Sequence, residues 1–385
     1  MSSQPEGVVR PGIDVLLSDS LHLLTGRRVG LLTNQTGVGR DGSSDVHLFL
    51  DAGVQLTALF SPEHGFRGGL DTTAIGHDVE ATTGLPIYSL YGETREPTPA
   101  MMDRIDLLVI DLQDIGARPY TYISTALLAM RAARAADVPV VVADRPNPIG
   151  GVLIQGPILS ARKSSFVGML QVPLRHGMTF GELARYGNDE LEIGAEVTVA
   201  PVDGWRRSEW FDAVELPWVR PSPNMPSLES ATHYPGVVMF EATNLSVGRG
   251  TPLAFQVVGA PWLEPSEVLG RLPHLPGVAL ADTAVVPDGP SDGKYAGRRV
   301  RAIRLSVTDR DAYNPVEAAT ELLAAIHAVH RDSLEVDRDR LARLAGTDAL
   351  WAAVSSGRPL ADLYREWDLA IADFRDRRER FVLYR

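Results

Sequence analysis

Polar residues able to do chemistry collect in four short strings. They are Thr33-Asn34-Gln35-Thr36-Gly37, Ser61-Pro62-Glu63-His64-Gly65, Asp111-Leu112-Gln113-Asp114-Ile115-Gly116-Ala117-Arg118 running on into Pro119-Tyr120-Thr121-Tyr122, and Asp144-Arg145-Pro146-Asn147-Pro148. Amides, carboxylates, arginines and tyrosines recognise hydroxyls and charges, and the carboxylic acids can also move protons. A single polar string is a solvated turn. Four of this composition exceed the needs of solubility and point to a polar cleft for a hydroxyl-rich or charged small molecule.

The elements that must position these strings follow from hydrophobic periodicity. Apolar runs at 28–33, 55–60, 86–90, 106–111 and 139–143 read as buried strands. Stretches 44–52, stopped by Gly53, and 121–136 read as helices, and helix 179–188 with strand 196–202 continues the alternation. Strands alternating with helices predict a parallel sheet covered on both faces. The four polar strings follow the first, second, fourth and fifth strands, so they share the carboxyl edge of the sheet, where ligands bind. Beyond about residue 245 the pattern changes to strands at 253–258 and 300–307 mixed with helices at 315–329 and 359–380, with a Gly/Pro/Asp-rich loop at 287–297. The expected fold class is α/β: a parallel-sheet domain over residues 1–245 and a smaller C-terminal α+β domain over 246–385.

Composition narrows the function. The 385 residues are 44% hydrophobic and 22% charged, with Lys+Arg 37 against Asp+Glu 49 and a formal charge of −12. An acidic chain without a basic block predicts no nucleic-acid partner, because phosphate binding draws on clustered Lys and Arg. There is no cysteine, hence no disulfide, thiolate metal site or Cys nucleophile. No apolar run reaches the ~18–20 residues of a membrane span, and the N-terminal residues lack the pattern of a secretion signal. The expected compartment is the cytoplasm, or the exterior and cell wall if a signal has been trimmed.

Several motifs compete for attention. Gly37-Val38-Gly39-Arg40-Asp41-Gly42 fits G-x-G-x-x-G between a strand and a helix, and Glu63 lies about where a ribose-binding acid would. This motivates a rival reading as a nicotinamide-dependent oxidoreductase. Against it, the polar run Thr33–Thr36 separates the apolar strand from the first glycine, and Glu63 is followed by His64-Gly65 in a loop. The same stretch resembles a P-loop, with Ser43 in place of the phosphate-binding lysine. No G-x-S-x-G or H-E-x-x-H occurs. The nine histidines form no close three-ligand spacing, so no metal site is expected. His327 and His330 read as structural, and His176 either caps the helix it precedes or reaches the cleft. Trp205, Trp210, Trp218 and Trp262 offer rings for stacking, although such residues mostly pack.

Longer strings carry a family resemblance. LTNQTGV (32–38), LFSPEHG (59–65), TGLPIYSLYGETREPTP (83–99), DLQDIGARPYTYIST (111–125) and DRPNPIGG (144–151) occur in order. RHGMTFGELA (175–184), LPWVRPSPNMPSLESA (216–231), YPGVVMFEATNLSVGRGT (234–251) and VTDRDAYNPV (307–316) follow them. Together they resemble the exo-β-N-acetylmuramidase family from about Gly12 to the C-terminus. The resemblance implies a Rossmann-like catalytic domain, an auxiliary C-terminal domain and a cleft between them. It also implies release of N-acetylmuramic acid from the non-reducing end of peptidoglycan fragments, without a cofactor. The family usually has an acidic residue where Gly39 stands, which makes the glycine motif a local accident. A non-catalytic muramic-sugar-binding protein is the third reading. The expected partner is a muramic-acid-containing saccharide or muropeptide, and oligomeric state is left open.

Glycoside hydrolysis needs a carboxylic acid to protonate the leaving oxygen and, in the usual scheme, a second carboxylate. Glu63 is the leading acid, and the SPEHG glutamate is the family's proposed catalytic residue. Asp114 or Glu241 serves as the second carboxylate, unless the sugar's own acetamido oxygen does. Asp111 and Asp144 are alternatively loop-fixing. The lactyl carboxylate that distinguishes muramic acid from glucosamine calls for an arginine. Arg118 is the first candidate, so Arg118→Ala is expected to lose the preference for muramic substrates. Arg249 follows, and Arg145 is as readily an ion pair with Asp144. The remaining expected binding residues are Asn34, Gln35, His64, Gln113, Tyr120, Tyr122, Asn147, His176, Asn224 and Asn244. With no metal expected, hydrolysis of a chromogenic N-acetylmuramide is predicted to survive prolonged EDTA treatment; loss of turnover restored by zinc, magnesium or calcium would reveal a cation held by the strand-end aspartates.

Overall fold

A computed structural model describes residues 8–72 and 74–385. Twelve strands occur among them: β1 (Val29–Thr33), β2 (Leu56–Ser61), β3 (Asp78–Val79), β4 (Pro86–Ser89), β5 (Leu107–Asp111), β6 (Val140–Ala143), β7 (Gln155–Ile158), β8 (Pro173–Arg175), β9 (Val197–Ala200), β10 (Val257–Ala260), β11 (Val278–Val285) and β12 (Val300–Val307). The main sheet has the order β3-β4-β2-β1-β5-β6-β9, parallel except for β3. Taken in chain order, its six parallel strands stand 3-2-1-4-5-6 in space, a Rossmann-like winding that reverses between β1 and β5. The central strands are apolar throughout because both faces are buried. Leu32, Leu108, Ile110, Val140 and Val142 enter one core. Val29, Leu31, Leu107, Val109 and Val141 enter the other, beneath Ile13, Leu16, Val46 and Phe49 of two covering helices, Gly12–Asp19 and Asp45–Asp51.

The helix signals read from sequence are capped as their residues require. Ser44 caps Asp45–Asp51 by accepting the His47 N–H. Thr179 and Glu182 form a reciprocal capping box on Phe180–Glu190. β10-β12-β11 form an antiparallel three-stranded sheet that, with helix Pro315–Val329, makes the α+β region. The strand expected at 253–258 begins only at Val257. Before it the chain turns, with Phe255 at φ 62° and its N–H donated to the Val247 carbonyl at 2.7 Å.

The expected division at 245/246 cuts through packed structure. One apolar core runs without a break from Leu32 and Ile110 to Phe255, Ile303, Leu322 and Phe374. Helix Leu228–Val237 already packs on Pro315–Val329; a Cβ on Gly236 would lie 1.9 Å from the Pro315 carbonyl oxygen. The last helix, Leu360–Arg378, returns to β7, and the Tyr384 hydroxyl donates to Asp144 at 2.6 Å.

Below the carboxyl edge lies a buried ion pair. Arg145 donates to both oxygens of Asp111, at 2.5 and 2.7 Å, and to the Val38 carbonyl at 2.9 Å. Burial pushes the Asp111 carboxyl up, and Arg145 opposes that shift. Burial and then the charge of Asp111 hold Asp45 well above the usual carboxylate range. Removing one partner of a buried pair typically costs ~3–5 kcal/mol. Arg145→Met is therefore expected to lower the unfolding free energy in urea by about that much, and the double variant Arg145→Met, Asp111→Leu to recover most of it.

Candidate active site

The loops at the carboxyl edge are stitched to one another by amides. Asn34 Oδ1 accepts the Thr36 N–H at 2.9 Å and its hydroxyl at 2.6 Å, and Thr36 Oγ1 accepts the Gln113 N–H at 3.1 Å. Gln113 Nε2 donates to the carbonyls of Asp114 and Pro146, at 2.8 and 3.0 Å. Asn147 bridges Met178 and Ile149, and Gln35 Nε2 donates to the Arg220 carbonyl at 2.8 Å. Gln113, Asn147 and Gln35 thus build the edge, while Asn34 Nδ2 is buried without a hydrogen-bond partner.

The glycine motif does not suit a dinucleotide. Gly37 is required because a Cβ there would lie 2.0 Å from Asp45 Oδ2 and 2.2 Å from Thr33 Oγ1. Asp45 places its carboxylate at the start of the helix, taking the Thr33 hydroxyl and its neighbour's N–H. A buried acid thus holds the place where pyrophosphate would meet a helix N-terminus.

The open side of the cleft collects other groups. Glu63 follows β2, is partly exposed, and its Oε2 accepts the Thr121 hydroxyl at 2.5 Å. Tyr91 follows β4 beside it, with Ser61 and Ser89 paired in register; burial first, then the Glu63 charge, push its phenol far above the ordinary range. His64 has φ 71°, uncommon for a residue with a Cβ, and donates Nδ1–H to the Leu70 carbonyl at 2.8 Å. The loop then brings Asp71 to Asn224 Nδ2 at 2.5 Å and Arg249 at 3.4 Å. Arg249 Nε and Nη2 donate to Glu241 Oε1, at 2.8 and 2.5 Å, and Arg340 stands 3.6 Å from Glu241 Oε2. Tyr234 joins the two sides: burial raises its phenol, followed by the charge of Glu241, with smaller contributions from Glu63 and Asp114. Tyr120 stacks edge-on between Tyr122 and Tyr234, and the Tyr122 hydroxyl donates to the Pro221 carbonyl.

Asp114 lies deeper. Its Oδ2 accepts the Gly116 N–H at 2.7 Å and faces His176 Nε2 at 3.4 Å, while Oδ1 is buried without a hydrogen-bond partner. His176 Nδ1 accepts the Met178 N–H at 3.1 Å, which leaves the proton of the neutral ring on Nε2, toward Asp114. Asp144 is spent on the fold, taking two N–H groups and two hydroxyls, and burial pushes its pKa up to about 6.

Residues 29–229 match the family described as exo-beta-N-acetylmuramidase NamZ, N-terminal, and residues 232–384 match its C-terminal counterpart. A curated relative, peptidoglycan beta-N-acetylmuramidase NamZ of Bacillus subtilis (strain 168), is 39% identical over 381 residues, covering 98% of this chain and 91% of its own. The chain belongs to the exo-β-N-acetylmuramidase family. Its fold matches the crystal structure of a DUF1343 family protein from Bacteroides fragilis NCTC 9343 at TM-score 0.90, with 34% identity, over 99% of this chain and 100% of that one. A second DUF1343 protein from the same organism matches at TM-score 0.79, with 29% identity, over 98% and 99%.

Within this exo-β-N-acetylmuramidase fold, the expected arginines separate. Arg145 is the buried partner of Asp111, not of Asp144. Arg118 is buried, with its guanidinium donating to the carbonyls of Pro157, Val172 and Leu344 at 2.9 Å each. Burial without a facing acid pushes its pKa down to about 9. Neither guanidinium faces the cleft, and the role in substrate choice expected of Arg118 has no geometric support. Arg249 does reach the cleft, already paired. Asn244 binds the Ser333 carbonyl and the Glu335 N–H, fixing the junction. In sequence, Asp71, Tyr91 and Tyr234 are given no role, and Thr121 lies in a polar string without being singled out. Tyr91 obeys the same strand-end rule as the four polar strings, since it follows β4, but a strand end marked by Leu90 and Tyr91 carries no run of polar residues. Each carbonyl stranded by Arg118→Ala costs ~1–3 kcal/mol. The variant is expected to lose at least that much stability in denaturant titration; an unchanged midpoint would contradict this placement.

Proposed function

We propose that this chain hydrolyses the β-glycosidic bond of a non-reducing terminal N-acetylmuramic acid in peptidoglycan fragments, with Glu63 as the general acid. The observation that carries the assignment is the setting of Glu63: one carboxyl oxygen is fixed by Thr121, a neutral tyrosine lies alongside, and the group stays partly open to the cleft. The family and the activity named for the Bacillus subtilis relative support the reaction class.

In this scheme the Glu63 proton passes to the glycosidic oxygen as the C1–O bond breaks, and water delivers hydroxide to C1 and returns a proton. Thr121 fixes Oε2 and leaves Oε1 to handle the proton. For the second carboxylate the proposal favours Asp114 over Glu241. Both oxygens of Glu241 face arginines, whereas Asp114 keeps one oxygen uncommitted.

Glu63→Gln keeps shape and hydrogen bonding and removes the transferable proton. General acid–base groups contribute ~10²–10⁴-fold, so turnover of a muramic disaccharide is expected to fall by about that factor. A nitrophenyl muramide, whose leaving group needs less protonation, is expected to suffer less. Near-normal hydrolysis of the disaccharide by Glu63→Gln would remove the residue from the mechanism.

A further inference from the structure

The cleft has an electrostatic problem that its paired residues leave unsolved. Glu63, Asp71, Asp114 and Glu241 gather around it, and Arg249 among them is committed to Glu241 and Asp71. A substrate carrying its own carboxylate enters against this acidic set unless another cation receives it.

Arg95 meets that need. Its guanidinium carbon lies 5.1 Å from the Tyr91 ring centre and 4.0 Å from that of Phe166, so one cation stands against two aromatic rings. The rings are themselves 5.9 Å apart. Among the described residues no acid stands within salt-bridge distance of Arg95, and none of its N–H groups has a protein acceptor. A cation–π contact occupies no N–H donor of a guanidinium, which keeps them for a carboxylate that can be gripped bidentately. Other arginines of the chain are unpaired at the surface; Arg95 differs in being held against Tyr91, which follows β4 as Glu63 follows β2, with Ser61 and Ser89 of the two strands paired in register. The cation is therefore set beside the strand-end loop that carries the proposed acid.

The second ring is supplied from far along the chain. Phe166 and Val167 form the tip of a two-residue turn closed by reciprocal Ser165–Gly168 hydrogen bonds of 2.9 and 3.0 Å. That turn lies between β7 and β8, whose flanking carbonyls at Pro157 and Val172 are the ones gripped by Arg118. Arg118 thus holds the loop that delivers Phe166, and acts at a distance from any ligand.

The geometry points to Arg95 as the residue that receives the lactyl carboxylate of the muramic ring, a specificity determinant resting on the proposed function above. The test compares a chromogenic β-N-acetylmuramide with its lactyl methyl ester, in wild type and Arg95→Ala. Hydrogen bonds to charged groups are worth ~1.5–3 kcal/mol, so kcat/KM for the free acid is expected to fall about 10- to 100-fold while that for the ester changes less than about twofold. In parallel, calorimetric binding of N-acetylmuramic acid and its methyl ester reads the same discrimination without turnover. Equal losses on acid and ester, or a preference for the acid that survives the substitution, would overturn the role of Arg95. Wild-type protein that binds the acid selectively through Arg95 but never turns over the muramide would support Arg95 and overturn the hydrolase reading instead.

Discussion

Arg145 joins the ends of three adjacent strands. It follows β6, holds the last residue of β5 through two hydrogen bonds to Asp111, and reaches the Val38 carbonyl in the loop after β1. These strands flank the reversal in strand order, where loops leaving an open α/β sheet diverge and a crevice forms. Three acids, Asp14, Asp45 and Asp111, act on this one guanidinium, each raising its pKa. The loops after β1, β5 and β6 are tied together at this point, directly or through Thr36 and Gln113. Its buried charge sets where the edge can open.

With the edge fixed, the cleft is completed by chain that is remote in sequence. The sheet contributes Glu63, Tyr91 and Thr121, and the second region contributes Tyr234, Glu241 and Arg249. Asp71 crosses between them, binding Asn224 and Arg249. Two bulky residues in left-handed backbone, His64 and Phe255, stand on opposite sides. His64 follows the proposed acid directly, and Phe255 stacks on Tyr234 with ring centres 4.7 Å apart, beneath Arg249. Such conformations cost roughly 1–3 kcal/mol and persist where surrounding contacts over-determine them. Here those contacts are the His64–Leu70 bond and the Phe255–Val247 bond.

What could be read from sequence follows the range of the forces involved. Strands and helices of the sheet were legible because local periodicity encodes burial on two faces; β12 and Pro315–Val329 fall where their patterns end. The placement of Glu63 at a strand end was legible for the same reason. Which arginine faces the ligand was not. Arg118 and Arg145 sit in polar strand-end loops exactly as Tyr91 does, yet the partners that remove them from the cleft, Leu344 for one and Asp111 for the other, come from elsewhere in the chain. The same applies to Asn244, whose amide is taken up by residues 333–335. A side chain's type shows what it can bind, and only the fold shows what has already bound it.

The glycines at positions 37–42 make the same point in chemical terms. On a winding that elsewhere suits pyrophosphate at the first helix N-terminus, Asp45 sets its own carboxyl group, and the missing Cβ of Gly37 makes room for it. That position is occupied from within the chain, and the Val46 N–H is satisfied without a ligand. The proposed site accordingly lies further along the carboxyl edge, at the loops after β2 and β4, where Glu63 and Tyr91 stand. There no helix dipole supplies positive charge, so an anionic ligand must be met by side-chain cations. A guanidinium set against two rings is suited to that, since it keeps its charge and donors without an internal carboxylate to neutralise it.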